Sequence, residues 1–275
     1  MSESRDDPDA PDERGGRVLI IGGSDSSGGA GIQADIKTVT MLGGYAASAI
    51  TAITVQDTLG VHQILPLTAG LITAQARAVL EDIGADAIKT GMLADRAAIL
   101  AVAELIESSS APAVIDPVLM AKGGAKLASS DALELMRERL APLARLLTPN
   151  APEAEALTGL RVASTDDARR AADLLLRAGA GAVLLKGGHI PGETVVDLLA
   201  TPEGETLFEA ARVDTRHTHG TGCTLASGCA TGLALGLPLA LSVANAWAYV
   251  GEAIRQAPGL GRGHGPLGHG WPLRR

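Results

Sequence analysis

From Arg17 onward, short apolar runs alternate with longer stretches of helical periodicity, and this alternation limits the fold more than any other feature. Runs over 18–21, 46–53, 86–90, 113–116, 146–148 and 182–186 read as strands, and residues 32–42, 72–83, 95–108, 130–140 and 165–178 as helices. Such strand–helix–strand units build a mostly parallel sheet with helices on its faces. Two β-type runs, 194–199 and 205–213, flank Pro202-Glu203-Gly204 and read as an antiparallel excursion. Helices over 223–235 and 240–256 follow. With no internal repeat and no interdomain linker, residues 17–275 are expected to form one α/β domain.

Composition excludes several classes of function. Aromatics make up 2% of the chain against 34 glycines, so the core is aliphatic, the loops are glycine-built and a base-stacking surface is disfavoured. The net charge is −8, and half of it lies in the first fourteen residues, where Glu3, Asp6, Asp7, Asp9, Asp12 and Glu13 face Arg5 and Arg14. Nucleic-acid binding through phosphates is disfavoured. Residues 1–16 read as a disordered acidic leader, because they are polar, contain Pro8 and Pro11 and lack the apolar segment of a secretory signal. No uninterrupted apolar run reaches the ~18 residues that a membrane span needs. The two cysteines, Cys223 and Cys229, form no CxxC pair, and reduced thiols in the cytoplasm fit.

In open parallel sheets ligands bind beyond the carboxyl ends of the strands. Here those ends run into polar, glycine-rich segments: 22–31, Gly91-Met92-Leu93, Asp116-Pro117, Thr148-Pro149-Asn150 and Lys186-Gly187-Gly188-His189. Gly220-Thr221-Gly222-Cys223 leads into an apolar helix, and the free N–H groups at such a start suit a phosphate or a developing oxyanion. A plain N-capped turn is the bland alternative. Cys223 in the first helical turn is expected to have a lowered thiol pKa, which would let it take a proton from an attacking hydroxyl. Its bland alternative is a small buried side chain, which is also the expectation for Cys229.

Segment 22–31 matches neither GxxxxGK[ST] nor GxGxxG, and its glycines fit close approach to a small substrate, with Asp35 one turn into the next helix. Gln56 can offer an amide donor and acceptor to a heteroaromatic ring edge. Asn150 and Glu153 are capping residues by position and oxygen ligands suited to hydrated magnesium by chemistry. Of five lysines, Lys122 and Lys186 are candidate phosphate partners. His217 and His219 form an HxH pair without a third ligand at metal-site spacing, and His264 and His269, in a glycine-rich tail, read as surface residues.

Taken together, these segments resemble the hydroxymethylpyrimidine/phosphomethylpyrimidine kinases of thiamine biosynthesis, in the ribokinase-like superfamily. The resemblance runs from about residue 17 to 269 through GGSDSSGGAGIQADIKT (22–38), ITAITVQDTLGV (50–61), IKTGML (88–93), IDPVLMAKGG (115–124), LTPNAPEAEALTG (147–159), LLKGGH (184–189) and DTRHTHGTGCT (214–224). It implies a single ribokinase-like domain, usually dimeric, with a mostly parallel sheet flanked by helices on both faces. It further implies a kinase that uses ATP and Mg2+ to phosphorylate 4-amino-5-hydroxymethyl-2-methylpyrimidine and then its monophosphate. By position, Cys223 falls on the family's proposed catalytic cysteine and Gly220, Thr221 and Gly222 on its anion hole. Gly23, Asp35, Gln56, Met92 and Val118 fall on the pyrimidine pocket. Lys186, Asn150 and Glu153 fall on positions serving nucleotide phosphates and magnesium, with Asp116 near the transferred phosphate.

Two departures from the family pattern concern the substrate side: Ser26 replaces a proline, which is expected to loosen the first loop, and Asp57 adds negative charge near the substrate edge. No fused thiamine-phosphate synthase domain is expected after the last helix. A pyridoxal or pyridoxine kinase is the nearest rival function. A non-catalytic pyrimidine sensor is the rival from another class, against which an intact Cys223 loop argues.

Overall fold

The computed structural model describes residues 15–119 and 130–274. Its strands β1 (Arg17–Asp25), β2 (Tyr45–Gln56), β3 (Val61–Pro66), β4 (Ala87–Thr90), β5 (Ala113–Ile115), β6 (Ala144–Leu147), β7 (Val183–Leu185), β8 (Thr194–Thr201) and β9 (Gly204–Ala211) form one sheet in the order β3-β2-β1-β4-β5-β6-β7-β8-β9. From β2 to β7 the pairing is parallel, while β3, β8 and β9 pair antiparallel. The chain steps from β1 outward to β2 and later returns to lay β4 on the other side of β1, so a topological switch point opens beyond the carboxyl ends of β1 and β4.

Alternation along each strand divides the apolar residues between two cores. Leu19 and Ile21 face helices α2 (Ala69–Asp82), α3 (Arg96–Glu107), α4 (Ser130–Leu135), α5 (Ala151–Thr158) and α6 (Thr165–Arg177). Val18 and Ile20 face α1 (Gly31–Met41), α7 (Thr221–Ala234) and α8 (Leu239–Arg255). Small residues do here what aromatics do elsewhere. A Cβ on Gly228 would sit 2.7 Å from that of Ala246, and one on Gly232 would sit 2.6 Å from that of Ser242. The two glycines therefore let α7 lie directly on α8, and residues 224–232 of α7 are all buried.

The expected strands and helices all appear, with shifted ends. The helix expected over 130–140 is α4 followed by a π turn over Met136–Leu140. Strand β3 was not expected: it is a half-exposed edge strand in which His62 and Gln63 break the apolar pattern. Among the described residues no helix is long and apolar enough to cross a membrane. Residues 1–14 of the expected leader, and Lys122, lie outside the described residues.

Candidate active site

Strand parity assembles the site. Ala87, Val114, Leu146 and Leu184 all face the α1–α7–α8 core, so the residues two positions on, Lys89, Asp116, Thr148 and Lys186, rise on that same face at the carboxyl edge. There Asp116 Oδ1 accepts from Lys186 Nζ at 2.9 Å and from Thr148 Oγ1 at 3.1 Å, and Glu153 Oε2 lies 3.8 Å from the same ammonium. Burial alone would lower the Lys186 pKa, but the carboxylates of Asp116 and Glu153 outweigh it and hold the ammonium charged. Glu153 is pushed up to about 7 by burial and by the nearby Asp116 carboxylate, against the pull of Lys186. A cation beside this pair of carboxylates would lower it, and hard oxygens of this kind suit magnesium.

Asn150 and Glu153 form a reciprocal capping box at the start of α5: Asn150 Oδ1 accepts from the Glu153 N–H at 2.9 Å, and Glu153 Oε2 from the Asn150 N–H at 2.8 Å. One oxygen of each is thus committed to the helix, which favours contact with a metal through water. Past β7, Asp197 accepts from the Gly187 N–H at 2.7 Å and from Trp247 Nε1 at 3.1 Å, pinning the turn that follows Lys186.

Helix α7 starts above these strand ends. Its N-cap is Gly220, at φ +85°, with no side-chain cap, and a Cβ there would lie 1.9 Å from Gly29 O. Only glycine fits so close to the 25–31 loop with that backbone. Thr221 Oγ1 turns back to donate to Thr218 O at 2.8 Å. A Cβ on Gly222 would fill the space 3.2 Å from Lys186 Nζ and 3.6 Å from Asp116 Oδ2, so its absence leaves a cradle between backbone and ammonium.

Cys223 follows in the first turn, but its thiol departs from expectation. Burial pushes it up to about 12, and Asp35 and Asp116 add to the rise that Lys89 opposes. The helix start and Lys89 favour a thiolate; burial of the thiol, helped by Asp35 of α1 and Asp116 beyond β5, favours the protonated form and prevails. Cys229 is fully buried in the α7 core, as expected.

On the substrate side, Gly23 lies against the Met92 thioether, and Thr51 Oγ1 donates to Met92 O at 2.6 Å. Val118 is half-buried and turns back on Asp116, donating its N–H to Asp116 O at 2.9 Å. Asp35 is fully buried, with Oδ2 at 2.8 Å from Lys89 Nζ and Oδ1 at 2.7 Å from Ser227 Oγ, so both of its oxygens have protein partners. Burial of Lys89 is outweighed chiefly by the Asp35 carboxylate, with Asp116 adding to it, and the ammonium stays protonated.

The loop expected to be loosened by the loss of its proline is tied down. Ser26 Oγ donates to Gln56 O at 2.8 Å and accepts the Gln56 N–H at 2.9 Å, and Asp25 gathers Ser27 and Ala30. Asp57 points its charge into its own turn, accepting from the N–H groups of Leu59 and Gly60.

Lys89, His219 and His269 were not singled out from the sequence as site residues. A lysine inside the fully buried strand Ala87–Thr90 was the available signal for the first. His219 is buried, with Nε2 2.8 Å from Asp25 Oδ2, so it bridges the 25–31 loop to α7 and does not pair with His217. His269, expected on the surface, is 5% exposed and sits 2.9 Å from Thr224 Oγ1, and burial lowers its pKa to about 4. His264 is exposed, as expected.

The family model for phosphomethylpyrimidine kinase matches residues 25–268. The hydroxymethylpyrimidine/phosphomethylpyrimidine kinase of Streptomyces coelicolor is 48% identical over 93% of this chain and 95% of its own. Two solved structures share the fold. The phosphomethylpyrimidine kinase of Clostridium difficile has TM-score 0.77 and 40% identity, covering 86% of this chain and 99% of its own. An ADP complex of Bacillus subtilis pyridoxal kinase has TM-score 0.88 and 36% identity, covering 94% and 98%. With a family model matching residues 25–268 and a relative 48% identical over 93% of its length, the chain belongs to the phosphomethylpyrimidine kinase family.

Proposed function

We propose that this kinase transfers the γ-phosphoryl group of ATP to the hydroxymethyl oxygen of 4-amino-5-hydroxymethyl-2-methylpyrimidine, and then phosphorylates the monophosphate to the diphosphate, in thiamine biosynthesis. The carrying observation is the convergence of Lys186, Asp116 and the glycine-capped start of α7 within one cradle. Phosphoryl transfer asks mainly for positioning and for neutralisation of charge. The N–H groups over 220–223 would face the transferring phosphoryl, and Lys186 would leave Asp116 for the phosphates. Magnesium, held by Asn150 and Glu153 through water with Asp116 nearby, would neutralise phosphate charge. Gly23, Gln56, Met92 and Val118 would line the pyrimidine, with Asp35 reached only by exchanging one of its partners.

Cys223 is the proposed acceptor of the hydroxyl proton. Because its thiol rests protonated, Lys89, Lys186 and the metal must draw it toward thiolate when the site is loaded. The same reading places residues 17–275 in one catalytic domain behind a leader of residues 1–16, and makes the enzyme a cytoplasmic homodimer, which sedimentation of the purified protein would check.

The structural likeness to pyridoxal kinase favours pyridoxal or pyridoxine as a second substrate. ADP release coupled to NADH oxidation decides: kcat/KM at least tenfold higher for the pyrimidine than for pyridoxine supports the proposal, and the reverse order sinks it.

A further inference from the structure

We propose that His219 is a positioning residue that fixes which way the Gln56 amide points, and so which ring edge the site accepts. Asp25 Oδ2 receives hydrogen bonds from Ser27 Oγ at 3.0 Å and the Ala30 N–H at 2.8 Å, and Oδ1 receives the Ser27 N–H at 2.8 Å. A carboxylate oxygen already holding two donors carries no proton, so the hydrogen in the 2.8 Å contact with His219 belongs to Nε2. Burial would raise the Asp25 carboxyl, but the bonds from His219, Ser27 and Ala30 outweigh it and hold it below its ordinary value, as a carboxylate should be.

In the structure the Gln56 NH2 stands 3.2 Å from His219 Nε2 and Oε1 3.2 Å from Thr54 Oγ1. A protonated Nε2 cannot accept from that NH2, so the consistent assignment is the amide given half a turn, with its oxygen toward His219. The other end of the same amide gives an independent answer. Thr54 Oγ1 spends its single hydrogen on Ser24 O at 2.9 Å, so the amide atom 3.2 Å from that hydroxyl must be the NH2. The oxygen and nitrogen of a glutamine amide differ only by half a turn about Cγ–Cδ, and the neighbours alone decide between them. Both neighbours choose the same state.

Gln56 is therefore locked with its donor toward Thr54 on its own strand, β2, and its acceptor toward His219, just before α7. Given the proposed role of Gln56 at the ring, a locked amide reads a donor beside an acceptor in one order only. The amino group and adjacent ring nitrogen of a 4-aminopyrimidine supply such an edge. A 3-hydroxypyridine lacks it.

Two variants test this by steady-state kinetics on both compounds: His219→Ala, and Thr54→Val, which keeps the shape of the side chain. Loss of one positioned hydrogen bond is expected to lower kcat/KM for the aminopyrimidine about tenfold, mainly through KM, and for pyridoxine less than about twofold. An equal fall for both compounds, or unchanged discrimination in folded variants, overturns the proposal. If His219→Ala does not fold, Thr54→Val decides alone. The amide direction is also read without substrate: contacts of the Gln56 side-chain NH2 protons to Thr54 in the NMR spectrum of the wild-type protein support it, and contacts to the His219 ring instead overturn it. A wild type that phosphorylates neither compound would refute the functional reading while leaving this spectrum to judge His219.

Discussion

Replacing Lys89 by methionine removes a buried ammonium while keeping most of its volume. Lys89 and Asp35 both have 0% side-chain exposure and meet at 2.8 Å, and without the lysine the carboxylate keeps the Ser227 hydroxyl as a donor. Removing one partner of a buried ion pair costs about 3–5 kcal/mol. Urea unfolding of Lys89→Met at pH 8 should show that loss. At pH 5 it should shrink, because burial pushes the Asp35 carboxyl up. In the variant that folded carboxyl binds a proton where the unfolded one is ionised, so stability falls as pH rises. The double variant Lys89→Met/Asp35→Leu should recover most of the stability, since apolar replacement of a buried pair is often neutral. Turnover should stay lost in both. A loss under about 1 kcal/mol, or a double variant no more stable than the single, would refute the buried pair.

Other perturbations separate the remaining groups. Gly220→Ala forces a side chain into a positive-φ position against Gly29 O and should cost about 1–3 kcal/mol in thermal unfolding, with activity abolished. Lys186→Met should raise the KM for ATP and lower kcat, with Lys186→Arg failing to rescue, because the cradle beside Gly222 is shaped for a compact ammonium. If Cys223 accepts the proton, kcat/KM should climb with pH through the neutral range toward its high thiol pKa of about 12. Cys223→Ala should then lose about 100-fold or more together with that slope, and near wild-type turnover would remove the base assignment and leave the amides standing. Glu153, raised to about 7 in the fold from 4.5, should make stability fall between those two values as pH rises. Glu153→Gln should flatten that fall.

The central strands were legible because a strand buried on both faces must be continuously apolar, and the glycine-rich ends beyond them pointed to a single edge. What each residue does there depends on partners far away in the chain. The lowered thiol expected of Cys223 followed from a local rule about helix starts, whereas burial in the assembled site, with Asp35 from α1 and Asp116 beyond β5 adding to it, reverses it. Lys89 could be seen as an oddity within β4 but gained meaning only with Asp35, 54 residues earlier. The tail misled for a different reason. Its glycines look like solvent-exposed linker, yet Cβ atoms at Gly261, Gly263, Gly265 and Gly268 would come within 2.3, 2.1, 2.2 and 2.1 Å of Thr58, Thr58, His217 and Gln256. They are the glycines of a strap packed on the site, and His269 is buried at its end.

Phosphorus NMR of the purified protein with ATP, magnesium and 4-amino-5-hydroxymethyl-2-methylpyrimidine tests the central claim most directly. A phosphomonoester signal that grows with ADP and then gives way to the paired signals of a diphosphate ester is the predicted course, and Lys186→Met should suppress both stages. Release of inorganic phosphate with the pyrimidine unchanged would contradict the account.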